Sequence, residues 1–176
     1  MRRLAVAALG ATLGWWLGVL VGITLGGAVG FLSSPLFGRA LGGILAGLIG
    51  GAIEARTLPA MDGKRLRFAA ASAAATALAA IFLLDVQSMP WLVGAVFGAA
   101  LGAAQAQAVG LARRDLLLRT LTGSVAWSLG FVVLHAGGTF GKLGVLAPGV
   151  AAILLAVARV RRWPTLRACS CRSRPA

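Results

Sequence analysis

One carboxylate stands inside an apolar run of this chain: Glu54, near the end of GLIGGAIEA at residues 47–55. Polar side chains in hydrocarbon are costly unless paired, so an acid at such a place raises the hypothesis of a proton- or cation-responsive group. Thr12, Ser72, Gln105 and Ser124 fall within four other apolar runs. Counted from one face of a bilayer they share the depth of Glu54, and the five define a candidate polar layer. The reading preferred over it is an interfacial carboxylate paired with Arg56, two residues on, or with a neighbouring basic loop. Ser72 with Thr76, and Ser124 with Ser128, are each four apart on one helix face, where hydroxyls most often bond a backbone carbonyl or knit helices together.

Other chemistry is sparse. Ser124 and His135 are eleven residues apart, about 16 Å along a helix, too far for a nucleophile and base on that helix. His135 is the only histidine, and metal sites take several ligands. Cys169 and Cys171 are the only cysteines and lie in a basic tail, so no disulfide framework is implied. The sequence therefore offers no catalytic, cofactor or metal site, and an enzyme is not expected.

The elements that would carry the polar layer follow from composition. The 176 residues are 59% apolar and 12% charged, too little polar surface to face water all round. The net charge of +13 invites a nucleic-acid reading, but Lys and Arg sit in short clusters between apolar runs rather than along a basic groove, and no nucleic-acid partner is expected. A bilayer core about 30 Å thick needs about 20 apolar residues per helix. Six spans are predicted, at 4–27, 38–55, 68–84, 91–111, 118–135 and 143–160, forming an all-α transmembrane bundle over 1–160 with a basic cytoplasmic tail at 161–176. Arg2 and Arg3 before an apolar run resemble a signal peptide, but the run is too long and lacks an Ala-x-Ala exit, so it is expected to stay attached.

Lys and Arg of short loops collect on the cytoplasmic side of a membrane. Six spans put fifteen basic residues, among them Arg56, Lys64, Arg65, Arg67, Arg113, Arg114 and Arg119, on one side, and only Arg39 and Lys142 on the other. Both termini are then inside. Trp91 and Trp163 suit interfacial anchors, and the basic loops and tail suit anionic headgroups.

Glycine recurs at Gly10, Gly14, Gly18, Gly22 and Gly26, and again at Gly43, Gly47 and Gly51 and at Gly94, Gly98 and Gly102. Helices in lipid associate where small residues let backbones approach, so these positions are expected to pack helices. Five glycines at four-residue spacing sweep about 160° around a helix, which suits a right-handed crossing or two successive neighbours. The stripe is either consumed within one chain or left partly outward for a second copy, as a homo-oligomer.

GLIGGAIEA at 47–55 aligns with GAALGAAQA at 98–106, placing Glu54 opposite Gln105. With one residue more of offset, Arg67 and Ser72 match Arg119 and Ser124, and WWLGVLV at 15–21 matches WSLGFVV at 127–133. The spans are expected to form three parallel-oriented hairpin repeats. Gly98, Gly102, Gln105, Arg113, Arg114, Trp127, Leu129 and Gly130 form a pattern that resembles a loose group of uncharacterised bacterial multi-pass membrane proteins. The resemblance implies this architecture and no activity, and the expected location is the bacterial inner membrane. The expected function is a structural or assembly role. The alternative is a small-solute or ion transporter or channel using the layer around Glu54 and Gln105.

Overall fold

The computed structural model describes residues 2–57, 63–82 and 89–135. They form five α-helices and, among the described residues, no strand: α1 (Arg2–Leu32), α2 (Pro35–Thr57), α3 (Arg65–Phe82), α4 (Pro90–Ala108) and α5 (Arg113–His135). All five are long and apolar enough to cross a membrane. The predicted sixth span at 143–160 and the tail at 161–176 lie outside the described residues, as do Lys142, Trp163, Cys169 and Cys171.

Three boundaries differ usefully from the spans read in the sequence. Helix α1 runs on to Leu32, and only Ser33 and Ser34 separate it from α2. Two residues suffice because Ser34 caps α2, its Oγ accepting the Phe37 amide at 3.2 Å, while Pro35 takes the first helical position, where a missing N–H costs nothing. Helix α4 stops at Ala108, three residues early, in a Schellman turn: Leu111 N–H donates to the Ala106 carbonyl at 3.0 Å and Gly110 N–H to that of Gln107 at 2.9 Å. Gly110 holds φ 68°, a backbone conformation open to glycine and strained for most residues. Helix α5 begins at Arg113, five residues earlier than read, so Arg119 belongs to the helix body.

Chain neighbours pack as antiparallel pairs, and glycine stands at each close approach. The whole ridge of α1 meets one neighbour, α2: a Cβ on Gly10 would lie 2.7 Å from Thr57 Cγ2, one on Gly18 2.5 Å from the Ala46 carbonyl, and one on Gly26 2.5 Å from that of Gly38. On a second face α2 meets α3, where a Cβ on Gly43 would lie 2.7 Å from Ala77 Cα and one on Gly51 2.6 Å from Ser72 Oγ, with Gly47 set against the Ser72 carbonyl between them. Gly94, Gly98 and Gly102 face Trp127, Gly123 and Arg119 of α5. Helix α2 thus has two close-packed faces, and the one toward α1 uses Gly38, Gly42 and Gly50, glycines outside the spaced series singled out above.

Away from these seams the helices expose leucine, isoleucine and phenylalanine: Leu13, Leu17, Leu20 and Ile23 on α1, Leu78 and Phe82 on α3, Leu121 and Val125 on α5. Apolar surface on this scale is consistent with contact to acyl chains. The interior is correspondingly thin, with a cluster of Trp15, Ala75, Phe97, Leu101, Ala126 and Trp127 and a smaller one of Ala55, Phe68 and Val109.

Candidate functional site

Between those two apolar clusters lies a layer of polar side chains drawn from all five helices. Glu54 sits three residues before the end of α2 and Gln105 three before the end of α4, about one turn from their helix termini. Arg119 lies six residues into α5, roughly 9 Å along its axis. Antiparallel packing brings these helix ends to one level.

Glu54 is 5% exposed and Arg119 8%, and Arg119 Nη2 lies 3.1 Å from Glu54 Oε1. The other carboxylate oxygen, Oε2, accepts the indole N–H of Trp15 at 3.1 Å and the amide of Gln105 at 3.4 Å. Gln105, 2% exposed, also donates to Ser72 Oγ at 2.8 Å, and its carbonyl accepts from Arg119 Nη2. The Ser72 hydroxyl in turn donates a hydrogen bond to the Phe68 carbonyl at 2.9 Å. The Phe68 ring, fully buried, lies 5.1 Å from the guanidinium carbon of Arg119, a cation–π contact that shields the charge from the bundle end. Among the described residues, Nε of Arg119 is the buried side-chain nitrogen left without a hydrogen-bond partner.

The chemistry of this arrangement is that of a clasp. Both oxygens of the acid are engaged, its charge is matched by a guanidinium, and the amide between them bonds acid, cation and hydroxyl together. In a low-dielectric interior such a network fixes geometry when satisfied and penalises any missing member.

Of the five residues expected to form the layer, the structure joins Glu54, Ser72 and Gln105 by hydrogen bonds. Thr12 and Ser124 are half-buried. The expected partner Arg56 is exposed, and the cation at the acid is Arg119. The charge pattern groups Arg119 with the cytoplasmic loop, but it is a buried member of α5, because the helix starts at Arg113 and carries it inward past Leu116, Leu117 and Leu118. Trp15 is the other member that sequence reasoning missed. The signal was present in the alignment of WWLG with WSLG: the two aligned tryptophans meet edge to face, ring centroids 5.6 Å apart. The aligned pair Arg67 and Arg119 diverge instead, the first exposed and the second buried, so the acid on α2 finds its cation on α5.

Trp15→Phe keeps the ring against Trp127 and removes the N–H that Glu54 accepts. The expected outcome is a loss of about 1–2 kcal/mol in unfolding free energy, read by denaturant titration in micelles, with the helical content of the folded protein unchanged.

No family model matches this chain, and neither a curated protein nor a solved structure matches it significantly.

Proposed function

We propose that the protein is an integral membrane protein with a structural or assembly role, a helical bundle of the bacterial inner membrane whose five described helices are locked by the Glu54–Arg119 clasp. The observation that carries this reading is the complete occupation of the Glu54 carboxylate: an acid paired with a guanidinium at 3.1 Å and bonded by Trp15 and Gln105 is a fixed joint rather than a carrier of protons or cations. The helices' length and apolar exposure support the membrane location. The glycine-spaced seams support assembly through backbone contact, as expected where lipid provides no hydrophobic drive between helices.

The test is flux. Purified protein in proteoliposomes is expected to pass protons, sodium and potassium no faster than empty vesicles, and Glu54→Gln is expected to lower stability without changing that baseline. A measurable flux abolished by Glu54→Gln establishes the second reading, a transporter. One observation favours that second reading: Trp15, which bonds the acid, also lines a large apolar cavity above the cluster.

Orientation is proposed from charge. Arg56, Lys64, Arg65, Arg67, Arg113 and Arg114 gather at one end of the bundle and are assigned to the cytoplasm, with the Ser33–Ser34 turn outside. Lys64 Nζ also donates to the Val109 carbonyl at 2.7 Å, tying the two turns at that end. In a protein with Cys169 and Cys171 replaced by serine, Ser34→Cys is expected to react with an impermeant maleimide in intact cells, and Ala112→Cys only after permeabilisation. The reverse pattern inverts the assignment.

A further inference from the structure

The cavity above Trp15 extends toward the Ser33–Ser34 end of the bundle, where Phe31 and Pro35 line it. It has a volume of about 840 Å³, within the range of small-ligand sites, and takes its walls from all five helices. Trp15, Phe97 and Trp127 line its deep part, and Phe31 and Pro35 line it near the α1–α2 turn. Its lining is apolar with one charged side chain, Arg39. At Gly27, another lining residue, a Cβ would meet no atom within 4 Å, so the groove has real room beside α1.

Arg39 is out of place by the rule that governs the other cations. It lies at the end of the bundle opposite the basic turns, four residues into α2, roughly 6 Å along the axis. A long, flexible guanidinium at that depth reaches the headgroup level while its stem stays in the apolar zone. Its five donors match a phosphate better than any other group available at a membrane surface, and they accommodate a phosphate alongside an existing protein contact.

We propose that this groove is a binding site for one anionic phospholipid of the outer leaflet, its acyl chains lying in the groove over Trp15, Phe97 and Trp127 and its phosphate on Arg39. Charge complementarity selects the occupant: an apolar trough fits any acyl chain, but a cation at its rim on the outer side selects an anionic head. The proposal rests on the membrane location and orientation proposed above but not on the structural role, and would hold equally for a transporter; an inverted orientation changes the leaflet and leaves the labelling ratio as predicted.

The test is photo-crosslinking on the full chain, reconstituted in phosphatidylcholine vesicles. They carry a small fraction of phosphatidylglycerol or phosphatidylcholine bearing the same photoreactive acyl chain, and labelled peptides are mapped by mass spectrometry. The phosphatidylglycerol probe is expected to label residues 23–31 and 127–131 about fivefold more than the phosphatidylcholine probe, the ratio that roughly 1 kcal/mol per basic residue near a charged lipid surface provides. Arg39→Gln is expected to bring that ratio to about one. Gly27→Trp, filling the groove from its open side, is expected to cut groove labelling about fivefold and leave labelling at outward-facing Leu121 and Val125 unchanged. Gly27→Leu serves the same purpose if the tryptophan variant does not fold. Equal labelling by both probes overturns the proposal, as does a ratio unmoved by Arg39→Gln. It is equally overturned if the groove residues cross-link to residues 143–160 or to a second copy of the chain in place of lipid.

Discussion

Glu54→Leu is expected to lower the unfolding free energy by about 3–5 kcal/mol, a large fraction of what holds a small bundle together, and to deplete folded protein from membranes. The loss does not measure the worth of the salt bridge. It comes from Arg119, which stays buried among Phe68 and Gln105 with its charge uncompensated. Arg119→Leu should cost a similar amount by leaving the carboxylate stranded. Removing both charges should be better tolerated than removing either, since a buried ion pair is often replaceable by apolar groups of like volume. Heat-induced aggregation of detergent-solubilised protein ranks the three variants, and a double-leucine variant worse than both singles contradicts the clasp.

The second large effect is expected at Gly98. A Cβ there would collide with the Gly123 carbonyl of α5, a backbone atom that no rotamer change can move aside. The helices must separate along the seam that also carries Gly94 and Gly102. Gly98→Ala should therefore destabilise by about 1–3 kcal/mol and Gly98→Ile by more, because overpacking propagates where neighbours cannot yield. Gly27→Ala is the internal control. With nothing within 4 Å of its Cβ it should be neutral or gain up to about 1 kcal/mol from helix propensity. Equal effects at Gly98 and Gly27 would mean that glycine acts here through backbone flexibility rather than close approach.

These contrasts also show which parts of the architecture sequence can carry. Periodic glycine and uninterrupted apolar runs are local signals, and they placed helices over the regions of α1 to α5. The ends were harder, because caps are single-residue events: Ser34 with Pro35 closes a turn in two residues, and Arg113 to Asp115 can begin a helix because its first turn still reaches water. Glu54, Ser72 and Gln105 were legible as polar residues at one depth. Arg119 was not, because a basic residue near a basic loop reads as part of that loop; only the length of α5 and its rotation against α4 decide that its side chain turns inward. Trp15 was hidden differently, as one aromatic among many apolar neighbours, its role depending on where α1 lies against α2. Which face of α2 meets which helix also had to come from structure, since Gly42 and Gly43 are consecutive and serve opposite partners, α1 and α3.

The central claim is that Glu54 and Arg119 act as one unit across α2 and α5. A double-mutant cycle in lipid bicelles measures it most directly, comparing Glu54→Gln, Arg119→Gln and the double variant by unfolding free energy. Coupling of about 2 kcal/mol or more, with the double variant more stable than the sum of the singles allows, is the expected result. Additive losses would contradict the account, for the two side chains would then contribute separately to the bundle.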